Sequence, residues 1–371
     1  MAENENYMRR AIELARNGEG WTNPNPLVGA VIVKNGIVIG EGWHHKYGEL
    51  HAEREALKDC RERGNDATGA DIFVTLEPCC HFGKQPPCTQ ALVEAGIKRV
   101  FVGSRDPNPL VHGKGNAFLR QNGVEVIKDF LRKECDALNP IFFHYITTKT
   151  PYVALKYAMT ADGKIATKTG ASKWITGESS RAYVHELRNR YAAILCGIGT
   201  VLADDPMLNC RREGGNNPLR VICDSKLRIP LECQLVKTAK EIPTIVACLE
   251  SAEKDKAQKI TELENACVEV LRLPTSQEGS VDLGALMRTL GERKIDSVLI
   301  EGGAEINFSA LKAGIVNKLY AFVAPKIFGG GSAAKSPVGG AGIAGVEEAF
   351  TFKLSKIRQF EDDILIEYEK L

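Results

Sequence analysis

Residues 49–57 read ELHAEREAL and residues 75–88 read TLEPCCHFGKQPPC. Together they hold a His-x-Glu, a Pro-Cys pair and a further cysteine nine positions on. Zinc takes imidazole and thiolate ligands, and a catalytic zinc keeps one position open for water. His51, Cys79 and Cys88 supply three protein ligands. Glu53, two residues from His51 at the start of the same helix, faces the same cavity without being a ligand. A water on such a metal acquires a pKa near neutrality. A carboxylate beside it takes the proton and later delivers it to the leaving amine.

This order of residues follows the zinc-deaminase signature, H-x-E and then P-C-x-x-C, with one departure. The residue three after Cys79 is Phe82, and the second cysteine is Cys88, behind an inserted HFGKQPP loop. Cys80 and His81 are therefore rival ligands. Cys79 is preferred because it directly follows Pro78 at the end of a strand, which fixes where its sulfur points. A four-ligand set that included His81 would shut out water and make the zinc structural.

Working outward, Tyr7, Met8, Ala11, Ile12 and Ala15 recur at helical spacing before Gly18. VGAVIV, Asn35-Gly36 and IVIGEGW read as a hairpin around a turn dipeptide. His51 to Arg63 reads as a helix that ends at Gly64, and DIFVTL as a buried strand. CTQALVEAG is helical, with Pro87 at its entry. RVFVGS and VEVIKD are strands around a helix over Gly115 to Asn122. The alternation predicts a layered α/β domain. A helix around Leu131 to Leu138 gives way to NPIFFHYITTKTP, and the boundary falls near Thr147. A second alternating series follows. It has strands at YVALKYAM, AAILCG, LRVICD, TIVACL, VEVLRL, SVLIEGG and KLYAFVAP, helices between them, and a final hairpin KLSKIRQFEDDILIEYEK. The tract GGGSAAKSPVGGAG (329–342) reads as a surface loop.

The 371 residues suffice for two domains, and 44% hydrophobic content supports sizeable cores. Lys plus Arg is 48 against 47 for Asp plus Glu. That balance lacks the basic surplus of a protein that grips a nucleic-acid backbone. No apolar run is long enough to span a bilayer, and the N-terminus lacks the basic start of a secretory signal. Eleven cysteines, an odd number without an export signal, predict free thiols in a reducing cytoplasm. Cys196, Cys223 and Cys248 lie in strand-like runs and read as buried small hydrophobes.

TNPNPLVGAVIV (22–33), GEGWHHKYGELHAE (40–53) and TLEPCCHFGKQPPC together resemble the deaminase half of the bifunctional riboflavin-biosynthesis deaminase/reductase family. The nine-residue cysteine separation is that family's own. Leu50 stands where proline is common, and Cys80 where serine is common. PYVALKYAMTADGKIA (151–166), ASKWITG (171–177), GIGTVLADDPMLNCR (197–211), DSVLIEGGAEINFSAL (296–311) and APKIFGG (324–330) resemble its reductase half.

The resemblance implies two three-layer α/β/α domains. The N-terminal one, over 1–147, is cytidine-deaminase-like and carries one zinc. The C-terminal one, over 148–371, is dihydrofolate-reductase-like and uses NADPH. By the same resemblance Asn23 helps hold the pyrimidine base. Ala158, Trp174, Thr200, Asp204, Ser225, Gly303 and Ala304 contact the dinucleotide. Lys156, Ser172, Arg188, Leu208, Arg211 and Glu301 meet the substrate. A homo-oligomer, dimer or tetramer, is implied as well.

The residues alone say less of this half. Gly197-Ile198-Gly199 lacks the third glycine of a Rossmann fingerprint and reads as a strand end and tight turn. SVLIEGGAEINF is an apolar strand, two glycines and a helix. That pattern suits either a phosphate at the helix start or a plain βα turn. Guanidinium suits a sugar phosphate, which independently favours Arg188 and Arg211. Trp174 also reads as core packing.

The expected activity is therefore hydrolytic deamination of a diamino-ribosylamino-pyrimidinone 5′-phosphate, then NADPH-dependent reduction of its ribosyl unit to ribityl. The partner is a small phosphorylated pyrimidine, with no nucleic acid and no membrane. Two alternatives stand beside it. One is a zinc deaminase of a tRNA adenosine or a nucleoside with an appended binding domain. The other is a structural-zinc interaction protein.

Overall fold

The computed structural model describes residues 2–81, 86–108 and 111–371, so Phe82 to Gln85 of the inserted loop lie outside the described residues. The chain divides into two compact units, Met1–Lys149 and Thr150–Leu371.

The first unit runs α1 (Ala2–Arg16), β1 (Gly29–Lys34), β2 (Ile37–Trp43), α2 (Ala52–Glu62), β3 (Asp71–Leu76), α3 (Cys88–Glu94), β4 (Arg99–Ser104), α4 (Lys114–Gln121), β5 (Glu125–Ile127), α5 (Arg132–Asp136) and α6 (Pro140–Thr148). Its five strands form one sheet in the order β2-β1-β3-β4-β5. Asn35 and Gly36 both take positive φ, at 53° and 79°, as a two-residue hairpin turn of the primed type needs.

Successive strand side chains point to opposite faces, and two cores follow. Ile32, Ile72, Val74 and Val100 pack with Ala56, Leu57 and Leu92 of α2 and α3. Val31, Phe73 and Phe101 pack with Met8, Ala11 and Ile12 of α1 on the other side. Three layers result. Helix α1 crosses so close to β1 that a Cβ at Gly29 would collide with the Ala11 carbonyl.

The second unit runs β6 (Tyr152–Thr160), α7 (Glu178–Arg190), β7 (Ala193–Gly197), α8 (Ile198–Asp204), β8 (Leu219–Cys223), α9 (Gln234–Lys237), β9 (Thr244–Leu249), α10 (Glu253–Asn265), β10 (Val268–Leu273), α11 (Leu283–Glu292), β11 (Ser297–Ile300), α12 (Ala304–Lys312), β12 (Val316–Ala324), β13 (Phe352–Phe360) and β14 (Asp363–Lys370). The nine strands are ordered β10-β9-β8-β7-β11-β6-β12-β14-β13. From β10 to β12 every pair is parallel, and the terminal hairpin adds two antiparallel strands at one edge. A parallel sheet is covered on both faces. Here Leu286 and Leu290 of α11 cover Leu195 and Val221. Val201, Leu235 and Leu263 of α8, α9 and α10 cover Ile194, Ile222 and Val246.

Three readings change. NPIFFHYITT, where the alternating pattern breaks in the sequence, is helix α6 with Pro140 at its first turn; proline is preorganised there because its missing N–H would have no partner. Gly197-Ile198-Gly199 is no tight turn: Gly197 is the N-cap of α8, and Gly199 lies inside that helix. Trp174 is 60% exposed and excluded from the core. The tract at 329–342 is irregular apart from one short turn of 3-10 helix at Gly331–Ala333. None of the eleven cysteines is paired in a disulfide. Cys196 and Cys248 are fully buried, and Cys223 is half-buried at the edge of the core.

Candidate functional site

The first site forms where one strand ends and two helices begin. β3 ends at Leu76 and releases Glu77, Pro78 and Cys79. His51 is the N-cap of α2, with extended backbone, and Cys88 is the first residue of α3 behind Pro87. Nδ1 of His51 lies 3.4 Å from Sγ of Cys79 and 3.4 Å from Sγ of Cys88. The Cys88 backbone N–H donates to Sγ of Cys79 at 3.3 Å. The three ligand atoms all fall within 4.8 Å of one another. Zinc bonds of about 2.1 Å to nitrogen and 2.3 Å to sulfur place tetrahedral ligand atoms about 3.6 Å apart. The residues present therefore fit zinc. Among the described residues this is the one such group of His, Cys, Asp or Glu, and neither Cys80 nor His81 belongs to it. His81 instead lines the adjoining cavity, and its Nδ1 is buried without a hydrogen-bond partner among the described residues.

The electrostatics suit proton transfer. Burial raises the Glu53 pKa, and the neighbouring Cys79 adds to it; the side chain is only 3% exposed. Hydrogen bonding from Cys88 is the main force that lowers the Cys79 thiol to about 4, and the Cys88 thiol moves up in exchange. Burial works against a charged His51, but its hydrogen bond to Cys79 and the charges of Glu53 and Cys79 outweigh that and raise its pKa. A thiolate beside a helix N-terminus is the form that binds metal.

A cavity of about 270 Å³ opens from these groups and is lined also by Asn25, His44, Glu77, Asp106 and Asn108. Asn25 is a lining residue; Asn23, two positions earlier, is not among them. His44 is fixed in one tautomer by its partners: Nδ1–H donates to the Leu50 carbonyl at 2.9 Å, and Nε2 accepts from Nδ2 of Asn25 at 3.1 Å. Burial lowers its pKa. Burial pushes Asp106 up to about 6. Sequence reading passed over Asn25, His44 and Asp106. The first two lie inside the quoted motifs, whereas nothing local marks Asp106.

The second site lies along the carboxyl ends of adjacent parallel strands, where α/β sheets bind ligands. Lys156 and Ala158 occupy the later half of β6, Thr200 and Asp204 follow β7, Ser225 follows β8, and Glu301, Gly303 and Ala304 follow β11. Glu301 is the hub. Its Oε1 accepts from Nε of Arg188 at 2.7 Å, its Oε2 accepts from Nη2 at 3.0 Å, and Nζ of Lys156 donates to Oε2 at 3.3 Å. Burial alone would raise the Glu301 pKa, but the Arg188 and Lys156 charges win and hold it at about 2. Arg188 also donates to the Asn209 carbonyl at 3.0 Å. The guanidinium expected at a sugar phosphate is thus committed to protein partners here.

Other expected residues meet in pairs. The Ser172 hydroxyl donates to Asp204 at 3.2 Å. A Cβ at Gly303 would make an ordinary contact with the Thr200 hydroxyl, 3.4 Å away, whereas one at Gly302 would collide with Ile306. Gly303 caps α12 and Ala304 opens it, so free N–H groups face outward from that turn. Leu208 is buried with a left-handed backbone, φ 48°. Arg211 is exposed, and its backbone N–H donates to His185. The Ser225 hydroxyl accepts from the Val281 N–H at 3.2 Å. The Trp174 ring carries the Arg181 guanidinium 4.7 Å from its centroid.

Comparison with known proteins bears on both units. The cytidine and deoxycytidylate deaminase zinc-binding region matches residues 1–104, and the RibD C-terminal domain matches residues 151–366. The chain is 56% identical over 362 residues to the riboflavin biosynthesis protein RibD of Actinobacillus pleuropneumoniae, spanning 98% of this chain and 94% of that protein. The RibD protein of Escherichia coli (strain K12) is 36% identical over 377 residues, with 98% of each covered. A solved deaminase/5-amino-6-(5-phosphoribosylamino)uracil reductase from Thermotoga maritima superposes with a TM-score of 0.88 at 41% identity, covering 100% of this chain and 99% of that one.

Proposed function

The chain belongs to the family of bifunctional riboflavin-biosynthesis deaminase/reductases, and we propose which of its residues carry each of the two reactions. It is a zinc-dependent deaminase and an NADPH-dependent reductase. Deamination belongs to the unit Met1–Lys149 and reduction to the unit Thr150–Leu371, whose boundary lies two residues beyond the 147 expected from the sequence.

In the first unit His51, Cys79 and Cys88 hold the zinc. When bound, the metal supplies the Lewis acidity that lets water ionise near neutral pH. Glu53 takes a proton from the attacking water and passes it to the ring nitrogen, then takes the proton of the newly added hydroxyl and delivers it to the departing amine, so that the carbonyl forms as ammonia leaves. Its burial beside the three ligand residues, while taking no part in the ligand group, supports that role. Asn23 holds the pyrimidine ring from the loop that also carries Asn25.

In the second unit NADPH supplies the hydride for the anomeric carbon of the ribosyl unit. Ala158, Trp174, Thr200, Asp204, Ser225, Gly303 and Ala304 hold the dinucleotide. Ser172, Leu208 and Arg211 hold the substrate together with Lys156, Arg188 and Glu301. Lys156 is placed to polarise or protonate the reacting centre, with Glu301 orienting it. Small-molecule enzymes among the neighbours support the phosphorylated pyrimidine as substrate.

The observation that carries the reading is the convergence of His51, Cys79 and Cys88 beside a buried, unligated Glu53. Mass spectrometry of the pyrimidine product tests it. Without NADPH the mass must change by the exchange of an amine for an oxygen, and with NADPH two hydrogens must be added. A product unchanged in both arms refutes the reading. Strand β13 leaves Leu354 and Ile357 exposed at the edge of the sheet, which supports assembly into a dimer or tetramer. Sedimentation at micromolar concentration decides between them. Eleven cysteines with no disulfide among them support a cytoplasmic location.

A further inference from the structure

Glu77 stands between β3 and Cys79, is 4% exposed, and lines the deaminase cavity. Its two carboxylate oxygens are both spent on backbone amides of α4: Oε2 accepts from the Gly113 N–H at 3.1 Å and Oε1 from the Asn116 N–H at 3.1 Å. The first N–H groups of a helix have no partner within it. Helix α4 has no side-chain cap of its own, since its N-cap is Gly113 in the left-handed conformation. A carboxylate from another element therefore does the capping, at the end of the helix that favours negative charge.

The contact is two-sided. Gly115, in the first turn of α4, faces the carbonyl of Pro78, and a Cβ at position 115 would collide with that oxygen. This carbonyl belongs to the peptide that leads into Cys79. The Glu77 backbone N–H meanwhile donates to the Ser104 carbonyl at the end of β4, at 3.0 Å. Both residues before the first metal-binding sulfur are thus seated on one helix turn. One is held by hydrogen bonds, the other by an approach that only glycine permits. The same cap anchors the segment that precedes α4, in which Asp106, Asn108 and Val111 line the cavity. That segment is tied together by the Asn108 carbonyl, which accepts from the Val111 and His112 N–H groups at 2.8 and 2.9 Å.

We propose that Glu77 is a positioning residue of the deaminase centre. By capping α4 it fixes the direction of the Cys79 sulfur, and with the same two bonds it sets the part of the cavity wall formed by Asp106, Asn108 and Val111. It touches neither the metal nor the reacting atoms. The assignment rests on Cys79 being a zinc ligand.

Metal affinity of the full chain tests the proposal, with the metal-free protein titrated by zinc against a chelator. Glu77→Gln replaces one accepting oxygen by an NH2 group that cannot accept. It should weaken zinc binding by about 10- to 100-fold, the effect of losing a group that orients a ligand. Gly115→Ala pushes on Pro78 from the other side with Glu77 intact, and should weaken zinc likewise. In cobalt-substituted protein both variants should shift the thiolate-to-metal absorption band, because the Cys79 sulfur is re-aimed. NADPH-dependent reduction by the same preparations should be unchanged, which shows the rest of the chain folded. Wild-type zinc affinity and cobalt spectrum in both variants overturn the proposal. So does weaker zinc binding with an unshifted band, which marks a general loss of stability. If Glu77→Gln fails to fold, Gly115→Ala alone decides. Cys79→Ser separates this from the parent reading: zinc retained in that variant means the ligand assignment itself is wrong.

Discussion

Arg188 grips Glu301 with two parallel bonds, Nε to Oε1 at 2.7 Å and Nη2 to Oε2 at 3.0 Å, in a setting where both side chains are largely shielded from water. Removing one member of such a pair strands the other charge. Arg188→Ala is expected to destabilise the reductase unit by about 3–5 kcal/mol. Replacing the whole cluster by apolar residues, Arg188→Met, Glu301→Leu and Lys156→Met, should restore most of that stability while NADPH oxidation stays abolished. Urea denaturation checks the first half, and absorbance at about 340 nm, the band of the reduced nicotinamide, checks the second. A single variant as stable as the wild type would show that the pair contributes little.

Glu53→Gln keeps the size of a side chain that is 3% exposed but removes its proton exchange. Zinc content should remain at one per chain, and ammonia release should fall by at least about 100-fold, the lower range for a positioned acid-base group. Normal turnover in a zinc-loaded variant would take Glu53 out of the mechanism.

Cys79 and Cys80 are neighbours with different surroundings. The Cys79 sulfur meets His51 and the Cys88 amide, while burial raises the Cys80 thiol. Cys79→Ser should lose zinc, and Cys80→Ser should keep it. Metal analysis after dialysis reads this directly, and the reverse pattern would move the ligand by one residue.

Asp106 gives a pH signature. Its folded pKa, about 6, lies above the ordinary 3.8 because burial disfavours the charge. The folded state thus holds a proton that the unfolded chain has already released. Stability from this group is full below about pH 4 and is lost as pH rises through about 6. Asp106→Asn cannot ionise, so its stability relative to the wild type should grow between about pH 4 and 6 and level off above about 7. The gap between the two pKa values corresponds to a gain of about 3 kcal/mol. A difference independent of pH, followed by denaturation midpoints, would mean Asp106 ionises normally.

How much of this was legible in the sequence depended on distance along the chain. The hairpin at Asn35-Gly36, the strand DIFVTL and the helix opening at His51 are written within a few residues, as turn chemistry and periodicity. The metal set was legible too, because Pro78 marks a strand end and Pro87 a helix start. Helix α8 was not, since a glycine at its N-cap and another at its second position mask a segment that its packing on β7 stabilises. For Trp174 the alternative of core packing was left open beside the dinucleotide contact, because an aromatic side chain carries no local mark of which way it faces; its exposure removes that alternative.

By itself the sequence determined the two α/β series, the nine-residue cysteine spacing and the identity of the zinc ligands' chemical class. Only the tertiary structure decided that Glu301 stands between Arg188 and Lys156, and that Glu77 caps the distant helix α4. Local rules act through backbone propensity over one or two turns. Charge pairing, capping and burial act through space, and their partners are set by the order of strands in the sheet.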